Sequence, residues 1–91
     1  MTFEFDRTKS IINKSKHDID FLEAQELWND PYSFELPSSQ SEDEERFLVL
    51  GRIQSKYFTA IITYRENKIR IISVRRSREK EMKLYESIRA R

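Results

Sequence analysis

Arg70, Arg75 and Arg76 lie in the stretch IRIISVRRSREKE, residues 69–81, where β-favouring aliphatic residues run directly into arginines and then into a helical pattern. A guanidinium is planar, stays charged at any relevant pH and can meet two phosphate oxygens at once. Arginines inside an aliphatic strand must find anionic or hydrogen-bonding partners. With Arg46 they form a set suited to stabilising the charge that builds on phosphorus during phosphodiester transfer. Strand alternation sends Arg70 and Arg76 to one face and Arg75 to the other unless a bulge intervenes, and Arg70 with Arg76 is the favoured pair.

Phosphoryl transfer on RNA without a metal also needs a base for the 2′-hydroxyl proton and an acid for the departing 5′-oxygen. His17 is the only histidine and the only side chain whose ordinary pKa lies near neutrality. A lone histidine in the context KHDID more often simply favours the negative end of a helix. Lys16, Arg65, Tyr85 and Glu81 are candidate RNA contacts. Tyr57, Phe58 and Tyr64 could stack bases, but a central strand normally buries such rings. The chain has no cysteine, which excludes disulfides, thiolate catalysis and Cys-type zinc sites. The acidic run SEDEE, residues 41–45, reads as a solvated stretch rather than a metal site. No metal and no cofactor is expected.

These residues must be held by a small scaffold. Ninety-one residues fit one domain, residues 1–91, with a modest core. A hydrophobic content of 37% with 36% charge, one glycine and two prolines describes a folded chain that is rich in charge. The net charge of +1 hides segregation: the acidic run precedes a C-terminal third dominated by Lys and Arg, the footprint of a phosphate-binding surface. No window approaches the roughly 18 apolar residues of a membrane span, and nothing resembles a signal peptide. A cytoplasmic protein without a membrane partner is the expectation.

FEFD at 3–6 alternates as a short strand, and Asp6 caps a helix over 7–16 whose narrow apolar stripe is Ile11 and Ile12. Asp20 and Glu23 have capping-box spacing at the start of a helix over 20–29, with Phe21, Ala24, Leu27 and Trp28 as its buried side; Pro31 stops it. A strand follows at 32–36, then the exposed loop PSSQSEDE. Strands at 45–54, 57–65 and 68–75 are joined by hairpin-length links into an antiparallel meander. Ser77 is the expected N-cap of a last helix to residue 89, burying Met82, Tyr85 and Ile88 or Leu84. The fold class is α+β, in the order β-α-α-β-β-β-β-α, with a mainly antiparallel sheet packed by helices.

Several blocks in this order resemble one family. The blocks FEFD…K…N…KH…F…A…W.DP from Phe3 to Pro31, EERFLVLG, TYRENKIRIISVRR, and Glu81 with Tyr85 are similar to the BrnT toxins of bacterial type II toxin-antitoxin systems. The resemblance spans nearly the whole chain. It implies a RelE-like fold, an endoribonuclease that halts translation, and a BrnA-type ribbon-helix-helix antitoxin. Because RelE-like enzymes use lysine, arginine, glutamate or tyrosine as proton carriers, the resemblance also makes Lys9, Lys16, Glu81 and Tyr85 candidates beside His17, a lysine needing neighbouring cations to lower its pKa. It further implies a two-to-two complex that binds operator DNA through the antitoxin. Phe5 departs from the family's usual tryptophan, which puts any polar role of that ring in question. A non-catalytic RNA- or ribosome-binding module, and an interaction module whose arginines are neutralised internally, remain as readings of the residues themselves.

Overall fold

A computed structural model describes residues 2–38 and 44–91. The expected exposed loop at 37–44 and the acidic run at 41–45 therefore fall largely outside the described residues. Two tight turns build the centre of the sheet. Strand β3 (Phe47–Ile53) meets β4 (Lys56–Arg65) through Gln54 and Ser55, with Gln54 at φ 58°. Strand β4 meets β5 (Lys68–Arg76) through Glu66 and Asn67, both at positive φ (49° and 68°). Two consecutive positive-φ residues match the right-handed twist of the flanking strands, which is why so short a link suffices.

Around this meander the short strands β1 (Thr2–Glu4) and β2 (Phe34–Pro37) take the edges, giving the order β1-β5-β4-β3-β2. β1 runs parallel to β5 and every other pairing is antiparallel. The mainly antiparallel α+β architecture follows the sequence expectation.

One face of the sheet carries Val49, Phe58, Ala60, Ile62, Ile69, Ile71 and Val74 into a core closed by Ile19, Phe21, Ala24 and Leu27. The last three occur at spacing three. The segment Glu23–Asn29 is accordingly a 3-10 helix rather than the α-helix expected over 20–29, since residues three apart eclipse on a three-per-turn winding. Its predicted capping box forms: the Glu23 N–H donates to Asp20 Oδ1 and the Asp20 N–H to Glu23 Oε1. Trp28 is only half-buried, edge-on to Phe3, and Phe5 packs edge-on to Phe21.

Two further expectations are corrected. Helix α1 (Arg7–His17), capped by Asp6 as anticipated, buries Ser10 and Asn13 and leaves Ile11 and Ile12 exposed. Helix α2 (Glu79–Arg89) starts from Arg78, not Ser77, because the Ser77 hydroxyl is engaged by Thr59 Oγ1 and its N–H by the Tyr57 carbonyl. Tyr85 is buried on α2, whereas Leu84 is 39% exposed.

The inversion of α1 has a definite cause. β1 pairs only with the first three residues of β5, so the rest of that edge lacks a strand partner. The Asn13 carboxamide takes the partner's place: Nδ2 donates to the Val74 carbonyl at 2.9 Å, and the Val74 N–H donates to Oδ1 at 3.2 Å. Its second Nδ2 proton reaches the Ile19 carbonyl at 2.8 Å. Ser10 Oγ accepts from the Phe21 N–H. An alanine at position 13 leaves a buried N–H and two carbonyls without these partners. We predict that Asn13→Ala lowers the unfolding free energy by about 3 kcal/mol, read from urea denaturation, whereas Ile11→Ala changes it by less than about 0.5 kcal/mol.

Candidate functional site

The arginines are distributed by an irregularity in β5. Ile61 pairs with Ser73 and Ile62 with Ile71, so Ile72 is an extra, unopposed residue. After that bulge the alternation is reset. Ile69, Ile71 and Val74 all enter the core, which turns Arg70 and Arg75 to the opposite face and brings Arg76 to the core side. The expected pairing of Arg70 with Arg76 is thereby overturned. Arg76 ends the strand with its guanidinium 5.6 Å from the Phe58 ring centroid.

On the face away from the core, a cleft of about 510 Å3 opens beside the N-terminus of α2. Leu48, Ile61 and Ile72 give it an apolar floor, and Arg46, Arg75, Arg78 and Glu81 give it charge. A second, smaller cleft of about 180 Å3 is lined by Lys9, Ile12, Lys16 and His17 of α1. Ile72 and Ser73 line both. The bulge is thus a saddle with three arginines on one side and two lysines and the histidine on the other.

Glu81 fixes the larger cleft. Its Oε1 accepts from Arg75 at 2.7 Å, from the Arg78 N–H at 2.8 Å and from Thr59 at 3.0 Å, while Oε2 accepts from the second Arg75 nitrogen at 2.9 Å. Because the Thr59 hydroxyl donates to Glu81, it is Ser77 that donates to Thr59 across 2.8 Å. The Arg75–Glu81 pair is largely sheltered, with the side chains 20% and 13% exposed. Burial pushes the Glu81 carboxyl up, but the bonds from Arg75, Arg78 and Thr59 outweigh it and hold the pKa at about 2. Such a group is a carboxylate near neutral pH and too weak a base to take a hydroxyl proton. Its two oxygens fix the Arg75 guanidinium in place.

The remaining candidates fall elsewhere. Arg70 ties β1 to β5 through Glu4 at 3.3 Å and does not line the cleft. Arg65 pairs with Glu44 near the β4–β5 turn. Tyr85 is buried and donates to Asp30 Oδ2 at 2.7 Å; burial and that bond both raise its pKa. The anionic partners that strand arginines must find are, for Arg70 and Arg75, carboxylates within the chain, Glu4 and Glu81. Arg46 and Arg78, by contrast, have no ion pair among the described residues. Arg78 is not among the residues that the sequence singles out. The signal for its position was the spacing Arg78-x-x-Glu81, which marks a helix start next to the strand end. The adjacent pair Ile71–Ile72, which breaks strict alternation, was the corresponding signal for the bulge.

A family model described as the ribonuclease toxin BrnT of type II toxin-antitoxin systems matches residues 5–81. No curated protein matches the chain.

The Glu81 interactions carry a pH signature. The folded carboxyl titrates at about 2 against an ordinary 4.5, so its contribution to stability is present above the ordinary value and lost as pH falls toward the folded one. Wild type should exceed Glu81→Gln in stability by a constant margin above about pH 5, and that margin should shrink between about pH 4.5 and about pH 2. Parallel urea melts across this range measure it; a margin independent of pH would show that Glu81 is not held as an ionised partner.

Proposed function

The chain belongs to the BrnT family of ribonuclease toxins of type II toxin-antitoxin systems, and from that premise we propose that it is a metal-independent endoribonuclease whose larger cleft holds the scissile phosphate. The observation that carries the reading is the convergence of Arg46, Arg75 and Arg78 on an apolar-floored cleft. Three guanidiniums there suit a dianionic phosphorane better than a singly charged diester, which is the differential stabilisation that accelerates the step. Arg75 is fixed by Glu81, which accepts one N–H from each terminal nitrogen, and it offers the phosphate its positive charge and its remaining N–H groups.

In this reaction the RNA 2′-oxygen attacks the adjacent phosphorus and the bond from phosphorus to the 5′-oxygen breaks. A 2′,3′-cyclic phosphate and a free 5′-hydroxyl result. A base removes the 2′-hydroxyl proton and an acid returns one to the leaving oxygen. With Glu81 engaged by Arg75 and Tyr85 buried against Asp30, the proton carriers are drawn from His17, Lys9 and Lys16, which line the neighbouring cleft on the other side of Ile72 and Ser73. Cleavage of RNA inhibits translation in the cytoplasm. A BrnA-type ribbon-helix-helix antitoxin neutralises the enzyme in a two-to-two complex that binds operator DNA through the antitoxin. The RelE-like label for the fold belongs to the same reading. No helix among the described residues is long and apolar enough to cross a membrane.

A second reading, a non-catalytic RNA- or ribosome-binding module, is favoured by the internal engagement of Glu81 and Tyr85, two of the candidate proton carriers.

Incubation of purified protein with labelled single-stranded RNA in EDTA, with analysis of product ends, decides between them. We expect cyclic-phosphate ends from wild type and rates lowered roughly hundredfold or more in Arg75→Ala and in Arg46→Ala. Loss of cleavage in His17→Ala, with RNA binding retained, would assign that ring a proton-transfer role; wild-type rates would leave the lysines. Arg70→Ala should cut RNA normally, in keeping with its pairing to Glu4. Salt-sensitive RNA binding without cleavage, ribosomes included, would establish the binding module instead.

A further inference from the structure

Helix α1 turns its polar residues inward and its branched aliphatic ones outward. Thr8, Ile11, Ile12 and Ser15 stand at i, i+3, i+4 and i+7, the spacing of one helix face, and all four are exposed, Ile11 to 71%. Residues of this size are normally placed toward the core on an amphipathic helix. Here the core side is occupied by Ser10 and Asn13, so the solvent side carries a stripe of the pattern that a packed helix buries.

The flanks of that stripe are cationic. Lys14, which pairs with Glu23 at 2.9 Å, lies on one side with Arg7 one heptad before it. Lys9 and Lys16, which line the smaller cleft, lie on the other. Helix α1 contains no acidic residue. A narrow apolar stripe between two basic rails is complementary to an amphipathic segment whose apolar side is edged by carboxylates. It is poorly suited to a second copy of this chain, because two such helices would set lysine against lysine. It is also poorly suited to nucleic acid, to which isoleucines offer neither stacking nor hydrogen bonds.

We propose that the outward face of α1 is the docking surface for an acidic, amphipathic segment of the antitoxin, centred on Ile11 and Ile12. The proposal rests on the toxin reading above and adds the regulation of the same site. Ile12 belongs both to the stripe and to the lining of the smaller cleft. A segment seated on the stripe, with its carboxylates against Lys9 and Lys16, covers those lysines and the approach to His17. Neutralisation then occurs by occupation of the rail next to the saddle, without any rearrangement of the arginine cleft.

The test measures antitoxin binding and RNA cleavage separately. The cognate antitoxin is titrated against wild type, Ile11→Glu and, as a control on another exposed surface, Leu84→Glu, by calorimetry at two salt concentrations. Ile11 does not line either cleft, and circular dichroism melts verify that each variant is folded. Ile11→Glu should weaken the complex about tenfold or more while the free variant keeps wild-type cleavage; Leu84→Glu should bind normally. The chain has no cysteine, so Ser15→Cys supplies a unique thiol. A bulky maleimide there should block the antitoxin, and the same adduct on Lys80→Cys should not.

Wild-type affinity in both Ile11→Glu and the Ser15 adduct would overturn the proposal. Weakened RNA binding in Ile11→Glu, with antitoxin affinity intact, would overturn it in favour of a nucleic-acid contact. Because affinity is read directly, a chain that fails to cut RNA yet loses the antitoxin through Ile11→Glu would overturn the ribonuclease reading alone.

Discussion

The structure depends on how a five-stranded sheet with short outer strands satisfies the backbone of its longer inner ones. β1 has three residues and β2 four, against nine in β5 and seven in β3. Both inner strands therefore overhang their neighbours, and an overhanging N–H or carbonyl that is shielded from water without a partner is costly. Side chains complete both edges. Asn13 brings one donor and one acceptor to Val74, as a strand would. At the opposite edge, beyond the last β2 pairing at Leu50, Asp30 Oδ2 accepts from the Arg52 N–H at 2.8 Å and from the Tyr85 hydroxyl at 2.7 Å. Gly51 permits this approach, since a Cβ there would stand 3.0 Å from Leu27 Cδ2 and 3.3 Å from Asp30 Oδ2. The two closures hold α1, the 3-10 helix and α2 against the sheet.

Much of this was legible in the sequence where the controlling interaction is local. The β-favouring apolar run YFTAIITY and the two-residue links define the meander, because turn geometry and strand pairing are set within a few residues. Asp6 as a cap and the Asp20–Glu23 box were equally local, and both form. Ile11 and Ile12 misled because hydrophobic patterning assumes that a helix buries its apolar side. In α1 the inward side is claimed by a partner 61 positions away, Val74, and no local pattern encodes that contact. Tyr85 is a similar case, since its hydroxyl partner Asp30 lies 55 positions back.

The candidate site was legible in its residue types and not in its grouping. Arg46, Arg75, Glu81, Lys9, Lys16 and His17 were all singled out, yet their arrangement depends on one inserted residue. Without the bulge at Ile72, Arg75 would face the core side, beneath α1 and the 3-10 helix. There it could meet neither Glu81 nor Arg46. One extra residue between Ile71 and Ser73 keeps Ile69, Ile71 and Val74 buried while turning Arg75 outward. That the same two residues, Ile72 and Ser73, separate the arginine cleft from the lysine cleft follows from the identical distortion.

The edge closure, the cationic saddle and the exposed isoleucines are then three consequences of one use of α1. A helix that completes a strand edge must present an amide inward, and Asn13 can reach Val74 only if its own turn of the helix faces β5. Helical spacing places Lys9 and Lys16, four residues before Asn13 and three after it, on the flank next to that edge, beside the bulge. It places Ile11 and Ile12 away from the sheet. Making α1 conventionally amphipathic, with aliphatic residues at 10 and 13, would bury more apolar surface but leave the Val74 backbone without its partner. It would also place apolar side chains where the edge of β5 needs a donor and an acceptor. The polar interior of this helix is therefore what allows its outer surface to remain apolar and basic, and hence available for recognition.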